Sequence, residues 1–203
     1  HYDSLNNTSA ADQFLVGNLY DAFLYLKDPS ANAVVTESST ATLEERGGAW
    51  LFIRYVADRF GASVLRRLVQ TASPGEANVV AATRTPLAPL LGRWALAVYA
   101  TDLPGFTPPQ ALTYDFWRFR AEYAALDISP RYGSFFDRPY PLVPSEQTGT
   151  AFSVGGTMKS GSGAYVLVTQ AADGAGFDLT FRASDGNALP ANAGAQLAVL
   201  RIR

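Results

Sequence analysis

The spacing of apolar residues changes once along this chain, near residue 140, and this change limits the folds that the chain can adopt. Before Pro139-Tyr140-Pro141 the apolar residues recur at helical spacing. After it glycine, serine and threonine become common and the period falls to two. The pattern predicts an α+β protein, with a helical subdomain over residues 1–139 and a small antiparallel β-sandwich or barrel over residues 140–203. A chain of 203 residues with 48% hydrophobic content is long enough to bury such a core.

The helical part contains two strong helix signals. Residues 10–26 place apolar side chains on one stripe, and Asp28-Pro29 ends that pattern. Thr42, with Glu45 three residues later, forms a capping box at the start of a second helix that ends at Gly61. Shorter helices are predicted over residues 63–71, after Asn78 and after Pro86, whereas residues 114–123 form an aromatic segment without an assigned state.

The second helix carries apolar side chains on most of its surface, including Trp50. This composition predicts a buried central helix. Gly47 and Gly48 each weaken a helix by about 1 kcal/mol relative to alanine, so a pair of them predicts that another backbone packs closely there.

The period-two part predicts four strands, two of them with clear alternation of apolar and polar residues. Turn residues occur at Asp173-Gly174 and Asp185-Gly186. The predicted strands are Thr150–Val154, Tyr165–Gln170, Phe177–Arg182 and Ala198–Arg203.

Charge and residue content exclude several kinds of function. The formal charge of -2 provides no basic surface for nucleic acid, and no apolar run is long enough to span a bilayer. The chain has no cysteine, and its one histidine is His1, so neither a zinc site nor a serine–histidine pair can be built. The sequence therefore predicts a chain that is not an enzyme by itself, with no metal and no cofactor.

Two groups of acidic residues offer weaker alternatives. Carboxylates in loops could form a glycosidase-like pair, and a second group could hold Ca²⁺ through loop oxygens. Helix capping and hairpin-turn roles are the simpler interpretations of both groups. The residues concerned are Glu44, Glu45, Asp127, Asp137 and Glu146 in the first group, and Asp173, Asp178, Asp185 and Asn187 in the second. Asn6-Asn7-Thr8 matches a glycosylation acceptor.

The densest group of aromatic residues lies between the two predicted subdomains. It is the candidate surface for a partner protein or a glycan, with packing of the core and between the subdomains as the alternative. Its members are Tyr114, Phe116, Trp117, Phe119, Tyr132, Phe135 and Phe136.

Segment 42–61, TLEERGGAWLFIRYVADRFG, resembles the hyicolysin-type zinc metallopeptidases, which are exported proteins of the gluzincin group. The likeness extends over most of the chain through the lead-in Asn18–Pro29, residues 68–71, the helix Arg93–Tyr99 and the closing strand Val199–Arg203. The family's catalytic H-E-x-x-H helix and downstream glutamate would lie upstream of residue 1. The resemblance therefore implies the portion after the active site and a periplasmic or extracellular location, and it transfers no catalytic residue.

Three functions remain in view from the sequence. The first is a non-catalytic exported accessory or scaffold module, whose partner is a larger protein, a membrane-associated complex or its own missing N-terminal half. The second is the C-terminal fragment of an active secreted zinc metallopeptidase whose catalytic half is missing, as the resemblance implies. The start at His1, with Met158 as the only methionine, predicts a processed product or a segment of a longer chain, from which a signal peptide or a domain has been removed. The third is a glycan-binding module.

Overall fold

The computed structural model describes residues 11–35, 40–171, 174, 178–190 and 193–202. A π-helical turn, Ala11–Val16, leads directly into the first α-helix, and a 3₁₀ turn, Gln110–Leu112, precedes the last one. This part of the chain is mostly helical, with six α-helices and two β-strands. They are α1 (Gly17–Lys27), α2 (Leu43–Phe60), α3 (Ser63–Val69), α4 (Gly75–Thr83), α5 (Leu87–Ala100), α6 (Phe119–Asp127), β1 (Ser145–Thr148) and β2 (Val166–Thr169).

The predicted start of the second helix is confirmed. The Thr42 hydroxyl oxygen accepts a hydrogen bond from the Glu45 backbone N–H at 3.2 Å, and the Glu45 carboxylate accepts one from the Thr42 backbone N–H at 3.2 Å. Both donors would otherwise have no partner inside the helix. At the other end, Gly61 adopts a φ of +76°, where a side chain would be strained.

The close approach predicted from the glycine pair is confirmed where α1 packs against α2. A Cβ atom on Gly47 would overlap the backbone carbonyl of Asp21 and the backbone nitrogen of Ala22. A Cβ atom on Gly48 would lie 2.7 Å from the ring of Tyr25. The two helices therefore meet almost backbone to backbone, and α1 is held against the centre of the fold.

Aromatic side chains build much of the core between the helices. Phe23, Phe52, Tyr114, Tyr123 and Phe136 are each at most 1% exposed. The predicted buried central helix is borne out only in part. Leu51, Phe52, Tyr55 and Val56 of α2 are buried, whereas Trp50, Ile53 and Arg54 are only half-buried. The buried side of α2 meets Tyr25 and Trp94, whereas Trp50 meets Trp117 and Phe119 nearer the surface.

The C-terminal part differs from the antiparallel sandwich or barrel that the alternation predicted. Its described residues contain one two-stranded parallel sheet, in which Ser145 pairs with Val166 and Thr148 with Thr169. Parallel neighbours need a long connection, and residues 149–165 supply one that returns across the helical part. Described residues 150–154, 178–182 and 198–202 form no strand, and Asp173, Phe177 and Arg203 lie outside the described residues.

The connection between the strands is attached to the loop that follows α1. The Val34 N–H donates to the Gly161 carbonyl at 3.0 Å, and the Lys159 N–H donates to the Ser30 carbonyl at 2.9 Å. The Lys159 ammonium also forms an ion pair with the buried carboxylate of Glu45. One capping residue of α2 therefore also holds the C-terminal part in place.

This ion pair predicts a pH-dependent attachment. The hydrogen bond from Lys159, followed by that from the Thr42 backbone, lowers the pKa of Glu45 below its ordinary value. Because the pKa of Glu45 is lower in the folded state, its ionised form stabilises the fold at pH values above the ordinary glutamate pKa of about 4.3. This contribution to stability is lost as the pH falls from that value towards the pKa of the folded state. Because half of the Lys159 side chain is exposed, we expect a contribution of at most about 1 kcal/mol.

Hydrogen exchange at the Val34 amide should report the attachment directly. We expect Lys159→Met to lower the protection factor of this amide at neutral pH. In the unchanged chain the protection factor should fall as the pH drops below about 4.3, and in Lys159→Met this further fall should be absent. The matched control is Lys27→Met, which removes the surface pair with Asp137. Equal exchange rates at Val34 in the two variants would contradict the attachment through Lys159.

No helix in the described part of the chain combines the length and the apolar character needed to cross a bilayer.

Candidate functional site

Two tryptophans and an arginine form a partly exposed surface where α2 meets the segment before α6. Trp50 and Arg54 lie one turn apart on α2, and the Trp50 ring contacts the Trp117 ring edge to face with centroids 5.2 Å apart. The Arg54 guanidinium carbon lies 5.3 Å from the Trp50 centroid and 5.9 Å from the Trp117 centroid. With the neighbouring Phe116, these residues define what we call the tryptophan surface.

The loop that carries Phe116 and Trp117 is fixed by the second half of α2. The Asp58 carboxylate accepts a hydrogen bond from the Asp115 backbone N–H at 2.8 Å, and Arg59 pairs with the Asp115 carboxylate. The Tyr55 hydroxyl donates to the Ala111 carbonyl at 2.7 Å. Burial raises the pKa of Asp58, and the bond from Asp115 opposes that rise. Phe116 is nevertheless 80% exposed, so an anchored backbone presents a large apolar side chain to solvent.

The inner side of the tryptophan surface continues into the core. The Trp117 ring stacks on that of Phe119 with centroids 5.3 Å apart and an angle of 6° between the planes. The buried hydroxyl of Tyr114 accepts a hydrogen bond from Trp94 Nε1 at 2.8 Å and donates one to the Leu51 carbonyl at 3.0 Å. Burial raises the pKa of Tyr114 well above its ordinary value, so the hydroxyl keeps its proton. Buried, hydrogen-bonded core residues therefore hold the tryptophan surface in position.

The seven aromatic residues predicted as a partner surface fall into three groups. Tyr114, Phe119 and Phe136 are buried, so their rings support the surface from below and do not reach a partner directly. Trp117 and Tyr132 are half-buried, whereas Phe116 and Phe135 are 80% and 57% exposed.

Ring contacts join most of these residues into one cluster. Trp117 and Phe119 belong to its outer end near α2, and Phe135 belongs to the opposite end, where it contacts Tyr20 at 5.9 Å between centroids. Tyr123 and Phe136 link the two ends through the core. The structure therefore brings the predicted residues together but exposes them at two separate ends.

Three of the acidic candidates have clear structural partners. Glu45 caps α2 and pairs with Lys159, Asp137 pairs with Lys27, and the Asp185 carboxylate accepts hydrogen bonds from Asn187 in a turn. These bonds lower the pKa of Asp137 and of Asp185. Within the described ranges, no three His, Cys, Asp or Glu side chains lie close enough together to hold a metal ion. Asp173 and Asn6-Asn7-Thr8 lie outside those ranges.

The sequence did not single out Trp50 and Arg54 as surface residues. Trp50 was assigned to the core because of its apolar neighbours in sequence. Their spacing of four residues on one helix was the available signal, because side chains at this spacing lie on the same face. The role of that face depends on Trp117, which is distant in sequence.

Comparisons of the chain with protein-family models, with curated proteins and with solved structures gave no match.

Proposed function

We propose that this chain is an exported, non-catalytic accessory module that docks through the tryptophan surface on a larger protein or membrane-associated complex. The observation that carries the proposal is the 80% exposure of Phe116 on a loop fixed by Asp58, Arg59 and Tyr55. An aromatic side chain has few rotatable bonds, so on an anchored backbone it loses little conformational freedom when a partner covers it, and such residues dominate the energy of many interfaces.

The same proposal includes that the chain is exported and that it corresponds to the part of a peptidase that follows the active site. They are supported by the resemblance of residues 42–61 to the hyicolysin-type metallopeptidases and by the likeness of the flanking segments. The partner then belongs to the cell envelope or to the extracellular medium, or is the catalytic half of the same protein. Sequencing the gene upstream of His1 tests this origin, since an H-E-x-x-H helix there is the expected result.

The docking proposal predicts different effects on binding and on folding. We expect Phe116→Ala to weaken the complex about tenfold or more, because it removes an aromatic contact at the interface. The free energy of unfolding should change by less than about 0.5 kcal/mol, because the side chain is exposed in the free chain. Val69→Ala is the matched control, since Val69 is an apolar residue on α3 that is 83% exposed.

A photo-crosslinking residue at position 116, compared with one at position 69, tests docking in the native host. The expected result is one discrete product from position 116 and none from position 69. Products of the same mass from both positions, or from neither, would overturn the proposal.

A glycan is the second candidate occupant, because partly exposed tryptophan rings can stack against the apolar face of a sugar. Trp50 and Trp117 lie at one site, so glycan binding there would change the tryptophan fluorescence. A change that saturates with added glycan and is lost in Trp117→Ala would favour this function over protein docking.

A further inference from the structure

Positive charge is concentrated in the middle of this weakly acidic chain. Residues 61–100 contain four arginines, Arg66, Arg67, Arg84 and Arg93, and a single acidic residue, Glu76, which gives this stretch a formal charge of +3. The whole chain has a formal charge of -2. These arginines lie on α3, at the end of α4 and on α5, which are outside the tryptophan surface.

Two of these arginines line one cleft between α3 and the end of α4. Its walls are Arg67, Ala81, Ala82, Thr83 and Arg84, and its volume is about 300 Å³. One water molecule occupies about 30 Å³ in the liquid, so the cleft has room for a small ion with some of its hydration shell.

Arg67 is held in position by neighbours from both helices. Its Nε–H donates to the Ala82 carbonyl at 3.0 Å, and its Nη1 group donates to the Ser63 hydroxyl at 3.2 Å. A guanidinium has five N–H groups, and these two bonds use two of them. The other three have no partner among the described residues, so a fixed guanidinium retains donors for a ligand.

Arg84 is placed at the cleft by the backbone turn that ends α4. It adopts a left-handed conformation, with φ 55° and ψ 29°, which is uncommon for a residue other than glycine. The turn is fixed by Thr83, whose hydroxyl donates to the Val79 carbonyl at 2.8 Å and accepts from the Thr85 N–H at 3.2 Å. The chain therefore carries an arginine where glycine would be the less strained choice.

Neither arginine is neutralised by a neighbouring carboxylate. Within the described ranges, no Asp or Glu forms an ion pair with Arg67 or Arg84. Glu76 lies on α4 eight residues before Arg84, which is about 12 Å along the helix axis. At physiological salt this distance exceeds the screening length of about 8 Å. The two charges in the cleft therefore remain uncompensated.

The carbonyl groups at the end of α4 would oppose an anion, but three of them are already bonded. The Ala82 carbonyl accepts from Arg67, and the Val80 carbonyl accepts from the Arg84 backbone N–H at 2.8 Å. The Thr83 carbonyl accepts from the Thr85 hydroxyl at 3.3 Å. The negative end of the helix is thus partly neutralised by the arginine that lines the cleft.

We propose that the cleft between α3 and α4 binds a doubly charged tetrahedral oxyanion, phosphate or sulfate, free or as part of a small ligand. Guanidinium groups recognise such oxygens through paired, charge-assisted hydrogen bonds. A dianion balances both Arg67 and Arg84, whereas a single carboxylate balances only one. The site is separate from the tryptophan surface and does not depend on the proposed docking function.

Titration of the full chain with inorganic phosphate at constant ionic strength tests the site, with amide chemical shifts as the readout. We expect saturable shifts at residues 63–67 and 81–85, weaker binding of acetate, and none of chloride. Arg84→Gly removes one guanidinium and suits the left-handed backbone, so the variant should fold. It should bind phosphate about 10- to 100-fold more weakly, the range expected for losing one charged contact.

Arg66→Ala is the matched control, because Arg66 adjoins Arg67 in sequence but bonds Gln70 and does not line the cleft. It should leave phosphate affinity within about twofold, since distant surface charges are screened. Arg67→Lys, which keeps the charge but loses the planar fork, should bind phosphate more weakly than the unchanged chain. Non-saturable shifts in the unchanged chain, or equal losses in Arg84→Gly and Arg66→Ala, would overturn the proposal.

Discussion

Replacing Trp94 with alanine is expected to lower the free energy of unfolding by about 3–5 kcal/mol. Trp94 is 2% exposed and packs edge to face on Phe52, with ring centroids 5.6 Å apart. Its indole N–H donates to the Tyr114 hydroxyl, so the substitution leaves a cavity and also removes a buried hydrogen bond. Urea denaturation followed by circular dichroism measures the loss.

Trp50→Ala is the internal comparison, because the same side chain is removed from a half-buried position. Trp50 lies on the open side of α2 against Trp117 and Phe119. We expect a cost of about 1–2 kcal/mol, since only part of the ring area is withdrawn from water. Equal losses in the two variants would show that α2 is covered on both sides, as its composition alone suggested.

Replacing Gly47 with alanine is expected to destabilise the fold by about 3 kcal/mol, although alanine favours helix formation. The new methyl group would meet the backbone of Asp21 and Ala22 on α1, and backbone atoms cannot rotate away as a side chain can. The helices must separate locally, which loosens the packing beside Gly48 and Tyr25. Thermal unfolding and urea denaturation should both show the loss.

Gly92→Ala is the control for that substitution. Gly92 also lies inside a helix, α5, but a Cβ atom there would lie 3.4 Å from the Ala198 Cβ, which is an ordinary contact distance. Stability should stay the same or rise by up to about 1 kcal/mol through helix propensity. A Gly47→Ala protein as stable as Gly92→Ala would contradict the backbone contact between α1 and α2.

The proposed docking site and the proposed oxyanion site use different residues, so substitutions can test them separately. The first depends on Phe116 and Trp117, which lie beside α2, and the second on Arg67 and Arg84 in the cleft between α3 and α4. Phe116→Ala should leave phosphate binding unchanged, and Arg84→Gly should leave crosslinking at position 116 unchanged. Loss of both functions in either variant would indicate a change in the whole fold and not in one site.

Local chemistry made the helical part predictable. A capping box is satisfied within one turn, so Thr42 and Glu45 identify the start of α2 without knowledge of the rest of the fold. Gly47 likewise indicated a close neighbour, because few other reasons favour glycine inside a helix. The neighbour itself, α1, was not named by the pattern.

Local sequence could not predict which aromatic residues of the cluster are exposed. Phe116 and Phe119 are three residues apart and chemically identical, yet one is 80% exposed and the other 3%. The difference arises because α6 begins at Phe119 and turns that ring inward, whereas Phe116 belongs to the loop held by Asp58. The contact that fixes the Phe116 loop joins Asp115 to Asp58, which is distant in sequence.

Sequence by itself thus determined where the main helices lie and which glycine pair needs a close neighbour. These features depend on interactions within a turn or on the small size of one residue. Only the tertiary structure decided that β1 and β2 pair in parallel, that Lys159 reaches Glu45, and that Arg67 and Arg84 share a cleft. Each of these contacts joins segments that are far apart along the chain, and no repeating sequence pattern connects them. Their geometry therefore follows from the packing of the whole fold.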